Sequence, residues 1–132
     1  RLLLTFEACS EAPNYKEDWK SDITIWINGL DCGTWQSPGD FGGRRGRLNP
    51  SWWDNGVTQY GNLTTMEITD TGSFINSKHA SAVCLQDLQL HSGTPITIRI
   101  GNKDDAEFIG GFNIFGQKFG DYAQDIVLSF VY

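Results

Sequence analysis

Two short stretches alternate so strictly that an extended strand is the one conformation that buries them on a single side. In Ile23-Thr24-Ile25-Trp26-Ile27 the three isoleucines share one face, with Thr24 and Trp26 on the other. Ile96-Thr97-Ile98-Arg99-Ile100 repeats the pattern with Arg99 opposite the isoleucines. The period that recurs along the chain is two rather than 3.6, and further strands are expected at 2–8, 30–36, 63–69, 82–88, 112–115 and 126–132. Short strands at this spacing, separated by turn residues, predict an all-β chain: a jelly-roll-like sandwich of two antiparallel sheets with little or no helix. A helical turn is expected only at 15–20 and 104–108.

The sharpest local signal is Asn28-Gly29, because both residues tolerate the positive φ that a two-residue type I′ hairpin demands. Ile27 then faces Leu30. Counting outwards pairs Ile25 with Cys32 and Ile23 with Thr34, which places Cys32 on the isoleucine face. Trp26 and Trp35 fall on the other side, with Gly33 across from Thr24 between them: either a stacking floor for a flat ligand or a surface covered by a loop.

At 132 residues the chain fits one domain, 1–132, large enough to bury a core without disulfides. Its three cysteines, Cys9, Cys32 and Cys84, cannot all pair and lack the CxxC spacing of zinc sites, so reduced thiols in a cytoplasmic protein are expected. No apolar run reaches the roughly 18 residues that mark a membrane span, and the opening Arg-Leu-Leu-Leu is too short for a signal core. The missing initiator Met points to processing or to a piece of a longer chain. A net charge of −6 argues against nucleic-acid binding by this segment. Against that balance stand Arg44, Arg45 and Arg47, either ligand contacts or partners of nearby acids.

These arginines lie in the stretch 37–60, which has no sustained period and is dense in Gly, Pro, Asn and Asp. Loops longer than about 12–15 residues are usually functional or disordered. Trp52, Trp53 and Tyr60 argue against disorder, so this is the candidate binding loop. Enzyme signatures are lacking. His79 and His91 sit in polar, turn-like contexts, and no GxSxG, HExxH or phosphate-loop pattern occurs. Carboxylate pairs such as Asp40 with Asp121, or Glu7 with Asp125, can serve glycosidase chemistry only at about 5–10 Å separation. Asp54-Asn55 and 102–105 carry no EF-hand pattern, so neither a metal nor any other cofactor is expected.

What the sequence has in excess suits recognition of a small polar ligand, a sugar above all. Aromatic rings cover the apolar face of a pyranose, and planar polar groups reach pairs of hydroxyls. Asp40, Arg44, Arg45, Trp52, Trp53, Gln59 and Tyr60 come from the loop, with Asn49 beside them. Arg99 and Trp26 project from their strands, and Asn113 and Asp121 come from the Gly-flanked C-terminal region.

WINGLDCGTW, SPGDFGGRRGRLNPSWW, TQYG and GGFNIFGQKFGDYAQDI resemble the C-terminal β-sandwich domain of bacterial predicted transcriptional regulators that carry an N-terminal ArsR-like winged helix-turn-helix. The resemblance covers the chain from Phe6 onward. It implies a cytoplasmic effector-sensing or oligomerisation domain, not an enzyme, with DNA contacted only through the N-terminal domain of the longer chain, no membrane partner and a homodimer as one arrangement. Its polar motif positions here are Asp40, Arg44, Arg45, Trp52, Trp53, Gln59, Tyr60, Asn113, Asp121 and Gln124. An extracellular carbohydrate-binding module or a carbohydrate-active enzyme domain is the alternative.

Overall fold

The computed structural model describes residues 1–131 and is all-β, with two antiparallel sheets, no α-helix and one 3-10 turn at Leu85–Leu88. Its strands are β1 (Leu2–Cys9), β2 (Ser21–Ile27), β3 (Leu30–Ser37), β4 (Asn62–Ile68), β5 (Ser73–Ile75), β6 (Lys78–Ser81), β7 (Ile98–Gly101), β8 (Asn113–Phe115) and β9 (Val127–Phe130). One sheet runs β6-β5-β4-β1, and β8 and β9 share the far edge of β1 in succession; the other runs β3-β2-β7. The strand expected at 126–132 is β9, with Tyr132 outside the described residues.

The period-two pattern makes the sandwich. Leu2, Leu4, Phe6 and Ala8 of β1, with Met66 and Ile68 of β4, meet Ile25 and Ile27 of β2 in one buried cluster. Burying a side chain of this size stabilises the fold by about 1.5–3 kcal/mol, which offsets the ordering of the strands. The Asn28-Gly29 hairpin forms with φ of 50° and 80° at the two residues. Asn28 also clamps the start of β7: its Oδ1 accepts from the Thr97 backbone N–H at 2.9 Å, while its Nδ2 donates to the Leu88 carbonyl at 2.9 Å.

Beyond the first two pairs the hairpin register departs from simple counting. Ile27 faces Leu30 and Trp26 faces Asp31, but Ile25 faces Gly33 and Ile23 faces Trp35, because Cys32 is an extra residue forming a bulge. The slip returns Trp35 to the core side, where its ring lies 5.8 Å from that of Phe6. A Trp26/Trp35 stacking floor is therefore ruled out: the two rings point to opposite faces. Gly33 is no bare platform either, since a Cβ there would stand 2.4 Å from the Ala80 Cβ. Cys32 is buried as expected, at the bulge rather than opposite Ile25.

Other differences have local causes. The strand expected at 82–88 does not form: the β5–β6 hairpin ends at Ser81, and an irregular 82–84 leads into the 3-10 turn. Leu85 and Leu88 sit three apart, the spacing that eclipses on a 3-10 turn, and both pack on the core. The hairpin turn is Asn76-Ser77, with φ of 50° and 69° and no glycine to announce it. At 15–20 and 104–108 the chain makes one i→i+3 turn each and no helix, closed by Trp19 N–H on the Lys16 carbonyl at 3.2 Å and Ala106 N–H on the Lys103 carbonyl at 3.1 Å; Lys16 also bridges Asp40 of the long loop. β7 starts two residues later than expected because the Thr97 amide is taken by Asn28.

The bulge yields a test. Gly33→Ala must place a methyl against Ala80 at φ 140°, so we expect a loss of about 2–4 kcal/mol in urea unfolding. An unchanged midpoint would contradict this packing.

Candidate functional site

On β1, Leu2, Leu4, Phe6 and Ala8 point into the sandwich, so Thr5, Glu7 and Cys9 point out of it. Outward residues of a sheet are ordinarily wet, yet Glu7 and Cys9 are fully buried. Two loops cover them: 38–61, which joins β3 to β4, and 116–126, which joins β8 to β9.

Glu7 is the anchor. Its carboxylate accepts the Gly61 N–H at 2.8 Å, the Asp121 N–H at 2.9 and 3.1 Å, and the Tyr122 N–H at 3.1 Å. No Lys or Arg pairs with it among the described residues; backbone donors replace the lost water. Gly120 packs so closely over this carboxylate that a Cβ there would lie 2.5 Å from both oxygens.

Asp40 anchors the long loop in the same manner. Fully buried, it accepts the Ala12 N–H at 2.9 Å and the Thr58 hydroxyl at 2.7 Å. Burial, then the Asp40 carboxylate, push the neighbouring Cys9 thiol up to about 12, so it stays protonated and unreactive at neutral pH. Burial likewise raises Cys32, and all three cysteines are free. Gln59, buried, accepts from the Gly46 N–H at 3.3 Å and from Asn49 at 2.8 Å, and donates to the Asp54 carbonyl at 2.7 Å.

The arginines complete the lock. Arg44 donates to both Asp121 oxygens, at 3.0 and 2.6 Å, while its guanidinium lies 3.7 Å above the Tyr60 ring, which stacks on Phe41 at 5.3 Å. Arg45 donates to the carbonyls of Trp53 and Pro50, each at 2.7 Å, and to Asn55 at 3.0 Å. The Arg47 backbone N–H reaches Asp121 at 3.1 Å, and its side chain is exposed. Of the two readings of this patch, pairing with an acid thus describes Arg44, whereas Arg45 is held by neutral oxygens and has no acidic partner among the described residues.

Locked in this way, the loops hold three aromatic rings together. Trp52, Trp53 and Phe119 contact one another edge to face, with centroids 5.3–6.0 Å apart. The Trp53 indole N–H is fixed to the Thr58 carbonyl at 2.8 Å, whereas Trp52 is 69% exposed. Beside them opens a cleft of about 260 Å³ lined by Trp53, Phe119, Phe115, Asn49, Thr58 and Asn113. Asn113 uses its Nδ2 on the Ser10 carbonyl at 3.1 Å, and its Oδ1 has no partner among the described residues. Arg45 retains two N–H donors beyond its three bonds.

The fold brings nine of the ten expected site residues to this one face: Asp40, Arg44, Arg45, Trp52, Trp53, Gln59, Tyr60, Asn113 and Asp121. Arg99 lies elsewhere, stacked 4.4 Å over Trp26 on the outer face of the three-stranded sheet. Gln124 reaches the Thr5 carbonyl at 3.3 Å. Phe119 and the anchoring role of Glu7 escape sequence reasoning. An acid between Phe6 and Ala8 in a strand, and an aromatic inside a Gly-bounded turn, are the signals that mark them. No cluster of three or more His, Cys, Asp and Glu is placed to hold a metal among the described residues. Protein-family models, characterised proteins and solved structures yield no match to this chain.

The Arg44–Asp121 pair predicts a pH signature. The Arg44 hydrogen bonds, with the Arg47 N–H, hold the Asp121 carboxyl below its usual 3.8. A depressed folded-state pKa adds stability above the unfolded value, and that contribution is lost as pH falls through the folded one. The stability difference between wild type and Arg44→Gln is expected to be constant above about pH 5 and to shrink at lower pH. A difference that persists undiminished at the acid end would assign Arg44's contribution to its stacking on Tyr60 instead.

Proposed function

We propose that this β-sandwich is a binding module for a small polar ligand with a flat apolar face, a carbohydrate in the first instance, held at the Trp52–Trp53–Phe119 cleft. The observation that carries this reading is Trp52: a large ring left 69% exposed on a loop whose Asp40, Arg44, Arg45, Gln59 and Trp53 are each tied by hydrogen bonds within the protein. Exposing an indole forgoes about 2 kcal/mol or more of burial, and a rigid aromatic at a cleft mouth offers a pyranose or other flat ligand a preformed stacking surface. Within the cleft lining, the Asn113 Oδ1 is a polar group left to orient it.

Binding is favoured over hydrolysis by the state of the carboxylates. Glu7 and Asp40 are buried and bonded to backbone and hydroxyl donors, and Asp121 is clamped by Arg44. None of the three is free to trade protons with a glycosidic oxygen. The resemblance to the C-terminal domains of ArsR-like regulators supplies the proposed output. Ligand binding would favour one conformation of such a domain and bias an attached DNA-binding module by a population shift.

The reading is tested by titrating a panel of mono- and oligosaccharides while following Trp fluorescence and thermal unfolding. At least one sugar should quench or shift the emission and raise the Tm. Trp52→Ala should weaken that sugar by about 1–2 kcal/mol while leaving the unfolding temperature of the free domain within a few degrees. A panel that moves neither signal would remove the ligand claim.

A further inference from the structure

Sheet edges expose unpaired backbone groups, and proteins that stay apart protect them with charges, bulges or brevity. Four free edges here follow that rule. β3 carries Asp31 and the Cys32 bulge, β6 begins with Lys78 and His79, β7 carries Arg99, and β8 is three residues long. β9 is the exception. From Ile126 to Val131 there is no charge, proline or glycine, and four of the eight exposed large hydrophobic residues, Ile126, Val127, Phe130 and Val131, fall in this segment.

The ladder shows which backbone groups are free. Arg1 and Val131 exchange both hydrogen bonds, at 2.8 and 2.6 Å, and β9 continues antiparallel along β1 with Leu3 opposite Ser129 and Thr5 opposite Val127. Bonded and non-bonded pairs alternate, so the N–H and C=O groups of Ile126, Leu128 and Phe130 point away from β1. None of them has a backbone partner among the described residues.

We infer that β9 pairs antiparallel with β9 of a second copy of this chain, about a two-fold axis centred on Leu128. That register places Leu128 against Leu128 and Ile126 against Phe130, each pair exchanging two hydrogen bonds and using every outward group. It is self-complementary, as a two-fold contact must be. It also joins uncharged edge to uncharged edge, which suits association between chains that each carry a net charge of −6. Phe130 and Val131 also line a mixed groove of about 1220 Å³, whose apolar part is Leu85, Leu90, Pro95 and Ile96 and whose rim includes Arg1 and Asp70. The dimer is independent of the aromatic cleft.

Light scattering on the protein at tens of micromolar should give about 29 kDa, twice the chain mass of 14.7 kDa. The Val127→Lys/Phe130→Lys variant should give the monomer mass with an unchanged far-UV spectrum, while Ile109→Lys, an exposed residue outside this edge, should remain dimeric. Hydrogen exchange on the wild type provides a readout free of any variant. The amides of Ile126, Leu128 and Phe130 should exchange at least tenfold more slowly at dimer concentrations than on dilution. A wild-type monomer at high concentration, a dimer that survives the double substitution, a dimer lost in Ile109→Lys, or edge amides insensitive to concentration would each overturn the inference.

Discussion

A carboxylate with no cation partner among the described residues organises the loop-covered face of this molecule. Glu7 stands on the outward side of β1, where a charged group would ordinarily be solvated, yet it is fully buried. Isolated burial of such a charge costs several kcal/mol unless donors converge on it, and here backbone N–H groups of Gly61, Asp121 and Tyr122 do so. The loops 38–61 and 116–126 are therefore fixed to the sheet from beneath. Everything above them, Arg44 on Asp121, Tyr60 under Arg44, and Phe119 against the two tryptophans, depends on that placement.

This arrangement separates anchoring from display. Asp40, Gln59 and most of the Arg45 fork satisfy buried or backbone partners, and no buried side-chain nitrogen or oxygen among the described residues lacks one. A long irregular loop held this fully would lower the ordering cost of the binding we propose. The groups left over, the Trp52 face above all, are then the ones free to act. Rigid support with a small exposed remainder is what a preorganised site requires.

Much of the fold is legible in the sequence because burial on one face of a strand leaves a period-two trace. Ile23, Ile25 and Ile27 announce β2, and Asn28-Gly29 announces its turn. The Cys32 bulge is not legible. It answers to Ala80, which occupies the space above Gly33, and that contact links strands of different sheets. The β5–β6 hairpin was hidden for a simpler reason, since Asn76-Ser77 turns the chain without glycine. In the candidate site the sequence locates the loop and its residues, but not their tasks. Nothing in the neighbourhood of Glu7 foretells donors 54, 114 and 115 residues away. A run of arginines beside tryptophans looks the same whether it faces a ligand or a carbonyl, and only tertiary structure distinguishes the two.

The anchoring role of Glu7 is tested most directly by hydrogen exchange on Glu7→Gln. The substitution keeps the shape of the side chain but replaces one acceptor oxygen by an amide donor facing backbone donors. If Glu7 anchors both loops, the amides of Gly61, Asp121, Tyr122 and the 42–60 segment lose protection together, by about tenfold or more, while those of β2, β3 and β7 keep theirs. Protection that falls evenly across the molecule, or loops that exchange as in the wild type, would contradict it.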